Sequence, residues 1–250
     1  MFVHLRIHSE FSIIDSTNRI GDLVKFAAAD SQPAMALTDL NSLFGAIKFY
    51  KAGRGAGVKP LLGAELVMEP EVSGGPTSRI IVLIQSRQGY LNLAEILARM
   101  WTADNAKGAQ CSWAWLQELS DGLIALSGAQ AGPVGQALLQ GNEMAARTSA
   151  LRLASLFPHR FYIELQRAGR SDDETHVSAA VALAANLKLP VVATHPVQFN
   201  KPSDFESHEA RVCIAEGETL GNKKRIKRFT QDQYLKSAAE MEALFADVPS

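Results

Sequence analysis

Near its start the chain reads His4-Leu5-Arg6-Ile7-His8-Ser9, with ionisable groups at alternate positions. Residues i, i+2 and i+4 of a strand share a face, so His4, Arg6 and His8 are expected to point together. Asp15 follows in the next loop, while Thr38-Asp39-Leu40 and Gly63-Ala64-Glu65 bring two further carboxylates near strand ends. Carboxylates suit hard divalent cations, which take several oxygen ligands, and histidine serves as a metal ligand or acid/base group near neutral pH. Each of these groups alone is equally well a hydrogen-bonded neighbour or a solvated acid. Spacing therefore leaves a metal site, an acid/base pair and a structural role open. One basic cluster stands out, Lys223-Lys224-Arg225-Ile226-Lys227-Arg228. It lacks the interleaved aromatics on which bases stack, so a solvated loop is the first expectation. Contact of Lys223, Lys224, Arg225, Lys227 and Arg228 with DNA or an acidic partner is the alternative. No glycine-rich phosphate loop and no Gly-x-Ser-x-Gly elbow occurs, which sets aside nucleotide-loop and serine-hydrolase chemistry.

The elements that must carry these residues are legible as short Val/Ile/Leu-rich runs at 2–8, 34–38, 61–68, 79–85, 122–127, 161–165 and 190–194. Segments of helical period lie between most of them, at 17–29, 45–53, 90–101, 134–140, 143–156 and 172–187. Alternating strands and helices imply a parallel sheet covered by helices. About seven such units suit a closed or distorted (β/α) barrel, in which polar residues at strand C-termini face the active-site mouth. An open doubly wound sheet is the alternative. The stretch 70–78, with Ser73-Gly74-Gly75-Pro76, reads as a loop. From about Ser203 the strand pattern stops. The chain then reads as a helix at 205–216, a polar and basic stretch at 217–228, and a helix at 237–245. The expected division is a barrel over 1–202 and a helical, basic part over 203–250. The ending, Asp247-Val248-Pro249-Ser250, resembles a cut inside a longer polypeptide.

Composition sets broad limits. With 250 residues, 47% hydrophobic and 20% charged, the chain is long enough to bury a core without a structural metal or disulfides. Its formal net charge of -1 provides no global attraction to nucleic acid or membrane. The two cysteines, Cys111 and Cys213, argue against a disulfide framework and for a reduced, cytoplasmic setting. No basic stretch followed by an apolar run opens the chain, so a signal peptide is not expected, and the apolar runs elsewhere are too short to cross a bilayer.

Longer motifs make the reading specific. The opening Phe2-Val3-His4-Leu5-Arg6-Ile7-His8-Ser9-Glu10-Phe11-Ser12 and the segments Ala36-Leu37-Thr38-Asp39, Phe44-Gly45-Ala46-Ile47-Lys48-Phe49-Tyr50 and Lys59-Pro60-Leu61-Leu62-Gly63 occur in order. So do Gly122-Leu123-Ile124-Ala125-Leu126-Ser127-Gly128, Phe161-Tyr162-Ile163-Glu164-Leu165 and Leu189-Pro190-Val191-Val192-Ala193-Thr194. Together they resemble the PHP (polymerase and histidinol phosphatase) domain that opens bacterial DNA polymerase III alpha subunits. The resemblance implies a distorted seven-stranded (β/α) barrel. It also implies a parent DNA-directed DNA polymerase, a nucleotidyltransferase, whose polymerase domains would use Mg and carry the contact with DNA.

In many PHP domains a metal cluster at the strand C-termini supports phosphoester hydrolysis. Carried over position by position, the resemblance leaves only His8, Asp15 and Glu65 as ligand types. Arg6, Leu40, Arg79, Ala129, Pro196 and Gln198 stand where the family has other ligands. His195 is discounted as a substitute, because neighbouring strand residues point to opposite faces. Arg6 and Arg79 are expected to enter the same pocket as Asp15 and Glu65 and to replace the missing positive charge. The resemblance further implies no cofactor in this domain and, as in degenerate members, a structural role with docking of the proofreading exonuclease subunit. A residual metal-dependent phosphoesterase or 3′–5′ exonuclease is the alternative, and no membrane partner is expected.

Overall fold

The computed structural model describes residues 2–72, 74–103, 108–222 and 224–248. Among these residues six strands form one curled sheet: β1 (Ala34–Leu37), β2 (Lys59–Met68), β3 (Ser78–Ile84), β4 (Leu123–Leu126), β5 (Phe161–Gln166) and β6 (Val191–Thr194), hydrogen-bonded in that order. The helices that accompany them are α1 (Ile20–Ala29), α2 (Ala46–Ala56), α3 (Arg87–Thr102), α4 (Trp113–Leu119), α5 (Pro133–Leu139), α6 (Glu143–Leu156), α7 (Asp173–Leu187), α8 (Phe205–Glu216) and α9 (Ala238–Leu244). Local chemistry sets their ends. Ser86 caps α3 by accepting from the Gly89 amide, and Ser237 and Glu240 form a reciprocal capping box on α9. Gly57 ends α2 at φ 78°, a left-handed conformation that glycine adopts without strain.

Alternation along the strands sorts the side chains into two faces. Ala64, Leu66, Ile80, Val82, Leu123, Ala125, Ile163 and Leu165 face outward into a core shared with Leu93, Ile96, Leu153 and Phe157 of the covering helices and their ends. On the inner face, Ala36, Ile81, Leu83 and Leu126 form a smaller apolar layer with Leu61, Ile124, Tyr162 and Val192 packed against it. Glu65, Arg79, Glu164, Gln166 and Thr194 lie in the same alternation as this inner layer, displaced toward one end of the strands. The curl thus has an apolar end and a polar end. A third cluster, with Ile20, Leu23, Met35 and Phe49, seats α1 and α2 on β1.

Two expectations about the sheet are corrected. β3 is antiparallel to both β2 and β4, whereas β1/β2, β4/β5 and β5/β6 pair parallel. No helix separates β2 from β3 among the described residues, so the chain turns back on itself without a crossover. The expected first strand at 2–8 is also not a regular strand, and its one ladder contact is a bridge between Ile7 and Val197. The segment nevertheless lies against β1, with Ala36 N donating to His4 O at 2.8 Å and Thr38 N to Ile7 O at 2.9 Å. The two-residue step from Ala36 to Thr38 thereby faces a three-residue step from His4 to Ile7, as in a bulge, which interrupts regular pairing. Its far side meets the chain after β6, where His8 N donates to Val197 O at 3.2 Å.

Helix α4 was not legible in the sequence. Both cysteines are free and buried. No helix among the described residues is long and apolar enough to cross a membrane. The C-terminal elements return to the start of the chain, with a bridge between Phe199 and Tyr234 and a bond from Ala238 N to Asp30.

The contact between α3 and the turn before β4 admits no side chain at Gly89, where a Cβ would lie 1.9 Å from Gly122 O. Gly89→Ala is expected to lower stability by about 3 kcal/mol or more, since backbone must move. Gly55→Ala in α2, where a Cβ meets nothing within 4 Å, should leave stability equal or up to about 1 kcal/mol higher. Chemical denaturation of both variants checks the contrast.

Candidate functional site

The polar end of the curl is an ion-pair centre built around Glu65, whose relative exposure is 0%. A carboxylate so placed needs positive charge and hydrogen bonds to remain ionised. Glu65 Oε1 accepts from Arg6 Nη2 at 2.8 Å and from Arg79 Nη1 at 3.3 Å, while Oε2 accepts from His8 Nε2 at 2.7 Å. Burial by itself would raise the Glu65 carboxyl, but Arg6 first, then His8 and Arg79, hold it well below the usual carboxylate range. Arg6 Nη1 also reaches Glu164 Oε1 at 3.3 Å, so one guanidinium joins two buried carboxylates. Arg79 Nη1 likewise bridges Glu65 and Asp15, the latter at 3.2 Å. For Arg6, burial opposes the charged form, but Glu65 and Glu164 outweigh it and raise the pKa above the ordinary arginine value.

Glu164 is the member of the centre that the sequence analysis missed. Its Oε2 accepts from Gly128 N at 3.0 Å, and its Oε1 accepts from Gln166 Nε2 at 2.8 Å and from the Thr194 hydroxyl. Arg170 joins behind it, with Nη1 donating to Gln166 Oε1 at 3.1 Å and Gln130 Oε1 at 3.3 Å. The available signal was a glutamate at an inner-face position of the apolar run Phe161–Leu165, because acids are rarely buried without a partner.

The structure divides the sequence-derived candidates. Arg6, His8, Asp15, Glu65 and Arg79 converge. His4 does not share their centre: its Nε2 donates to Lys236 O at 2.8 Å. The bulge between His4 and Ile7 breaks the alternation that would have aligned it with Arg6 and His8. Asp39 instead fastens the following loop, accepting from Ser9 N at 2.6 Å, Ser9 Oγ at 2.8 Å and Ser12 Oγ at 2.7 Å. Leu40 bridges to Glu65 through the backbone only. Ala129 is buried at φ 48°, just past Gly128. Gln198 accepts from Ser16 and Thr17 through its carbonyl, and Pro196 accepts from Gln233. His195 donates to Asp232 O, and burial pushes its pKa down to about 3, with Lys236 and His4 adding to the effect. Among the described residues no group of three or more His, Cys, Asp or Glu side chains is placed to hold a metal ion.

The basic run is partly consumed inside the molecule. Arg225 forms a buried ion pair with Glu209, and Arg228 pairs with Glu216 at 2.5 Å. Lys224 and Lys227 are exposed, and Lys223 lies outside the described residues.

The sequence matches the PHP domain family over residues 4–168. The chain belongs to that family. This PHP domain is 45% identical over 249 residues to DNA polymerase III subunit alpha of Pseudomonas aeruginosa, covering 99% of the chain and 21% of that protein. With the same subunit of Escherichia coli K12 the identity is 43%, covering 99% of the chain and 22% of that protein. The PHP domain therefore spans about a fifth of the length of the curated relatives it matches. Among solved structures, a protein described as a metal-dependent phosphoesterase from Bifidobacterium adolescentis superposes with a TM-score of 0.53 at 12% identity, covering 78% of this chain and 86% of that one. An amidohydrolase from Chromobacterium violaceum superposes at 0.50 and 15% identity, covering 84% and 96%. These likenesses show the fold.

Removing Arg6 strands two buried carboxylates, so Arg6→Ala should cost roughly 3–5 kcal/mol at pH 7. Arg79 has 31% of its side chain exposed, and Arg79→Ala should cost only about 1 kcal/mol. Because the folded-state pKa of Glu65 is depressed from 4.5, its stabilising contribution is present above that pH and is lost as pH falls through the folded value. In Arg6→Ala, burial acts on Glu65 with its strongest opposing charge gone, so the carboxyl can escape the penalty by protonating, and the penalty should shrink between pH 7 and pH 4. Urea unfolding at both values tests this, and an equal penalty at each would contradict the ion-pair account.

Proposed function

We propose that this chain is the N-terminal PHP domain of a cytoplasmic bacterial replicative polymerase alpha subunit, that its metal site is degenerate, and that it acts as a structural and docking module for the proofreading exonuclease subunit. The observation that carries the reading is the saturation of Glu65: both oxygens are held by Arg6, His8 and Arg79. A hydrolytic metal centre needs enough free donors to hold a cation and orient water. Here the residues do not fit a cation. Leu40 and Ala129 carry no side-chain donor, and arginine does not deprotonate in proteins. His8, Asp15 and Glu65 survive as ligand types, yet His8 Nε2, Asp15 Oδ2 and both Glu65 oxygens are directed at one another and at guanidiniums. No hydrolytic step is assigned to them.

In this reading the His4–His8 segment is the irregular seventh stave of a distorted barrel over 1–202, and 203–250 leads toward the polymerase domains. Those domains would supply Mg-dependent nucleotide transfer and most contact with DNA. A barrel that cannot proofread leaves that activity to be supplied in trans, which favours exonuclease docking over residual hydrolysis.

Titration of the chain with the purified proofreading subunit from the same organism tests docking. One-to-one binding is expected, with no manganese-dependent release of nucleotides from DNA 3′ ends by the chain alone. Absence of binding, together with nuclease activity lost in Asp15→Asn and Glu65→Gln, would overturn the proposal in favour of a residual exonuclease.

A further inference from the structure

Ile13 is held in a conformation that its own side chain does not favour. Its φ of 51° and ψ of -72° lie outside the regions open to a β-branched residue, and the residue is 72% exposed. Packing of that side chain therefore does not impose the geometry. The constraint comes from the backbone on either side. Arg211 Nη1 of α8 donates to Ile13 O at 2.9 Å and to Ser16 O at 2.6 Å, and His208 Nε2 of the same helix donates to Asp15 O at 3.1 Å. Three carbonyls of one short loop are thus captured by two side chains a helical turn apart. Strain of this kind persists only where the surroundings over-determine it, and it gathers at switching or functional segments.

The captured loop carries Asp15, the outer anchor of Arg79. On its other side α8 is tied to the basic stretch. Glu209 pairs with Arg225, Glu216 pairs with Arg228, and the His208 ring sits against Phe229 with centroids 4.6 Å apart. A contiguous set of ion pairs and hydrogen bonds therefore runs from the 224–229 segment through α8 to the ion-pair centre.

We propose that α8 is a clamp that holds the 12–16 loop in a strained shape over the centre, so that the basic segment and the Asp15–Arg79 pair are conformationally coupled. Drawing the 224–229 segment away from α8 relaxes His208 and Arg211, lets Ile13 leave its strained conformation, and releases Asp15 from Arg79. The loop is loaded to open, and the basic segment is its latch. This device stands on geometry and does not require the docking role.

A double-mutant cycle on the 250-residue chain tests the clamp. Glycine tolerates positive φ but adds disorder to the unfolded chain. The unfolded-state effect of Ile13→Gly is common to both backgrounds and cancels in the cycle. With Arg211 present, Ile13→Gly relieves strain; with Arg211→Ala the loop has already relaxed. The unfolding equilibrium should therefore favour the glycine variant about fivefold more in the natural background than in the Arg211→Ala background. Arg211→Ala should also speed amide exchange of residues 13–17 about tenfold while β2 and β5 are unchanged. If the alanine variant does not fold, Arg211→Lys, which keeps one cationic donor group, replaces it with the same sign expected. Additive effects of the two substitutions, or unchanged exchange in the loop, would overturn the clamp.

Discussion

A fully buried carboxylate governs this molecule. Glu65 sits on a central strand with no exposure to solvent, so its charge must be met inside the protein. Arg6 meets it at 2.8 Å and joins it to a second buried acid, Glu164. That guanidinium is the strongest of the three positive groups that hold Glu65, and Arg6 would not be buried without the two acids. The N-terminal segment is consequently pinned inside the curl even though it makes almost no regular sheet pairing. What looks in sequence like a strand is held instead by an ion pair at its centre and by irregular hydrogen bonds along both edges.

The sheet supplies the geometry that makes this arrangement possible. Strand alternation sends apolar residues outward under the helices and sorts the inner face into an apolar layer and a polar end. The reversal of β3 brings Arg79, near the start of its strand, to the same end as Glu164 and Thr194, near the ends of theirs. Were β3 parallel, Arg79 would lie at the apolar end of the curl and Asp15 would lack its partner. The guanidiniums thus occupy the polar end because of topology as much as of sequence. The strands' C-termini, where this architecture places chemistry, are here occupied by charges that neutralise one another.

Much of this was legible in the residues. Six of the seven apolar runs became strands within a few residues, because buried strands need continuous apolar side chains. The convergence of Arg6, His8, Asp15, Glu65 and Arg79 followed from family positions and from the requirement that two carboxylates in one pocket find positive charge. The sequence could not show that β3 runs backward, since antiparallel pairing depends on the short connection before it. His4 was misplaced because period-two alternation assumes an unbroken strand, and the bulge beside it is a tertiary feature. Glu164 was overlooked because its strand was read as core. An acid in such a run is better taken as a marker of a buried cation nearby. The basic segment reads as a solvated loop, and Lys224, Lys227 and Arg228 are exposed, but the sequence did not show that Arg225 is drawn into a buried pair with Glu209 of α8.

The central claim is that arginines, in place of a bound metal, neutralise the buried acids. Thermal unfolding with EDTA and with millimolar Mn2+ tests it most directly, because a cation bound to the folded state raises the melting temperature by mass action. The account predicts the same melting temperature in both solutions for the natural chain, and a Mn2+-dependent rise once Arg6 and Arg79 are both replaced by histidine. A rise of several degrees with Mn2+ in the natural chain would contradict it.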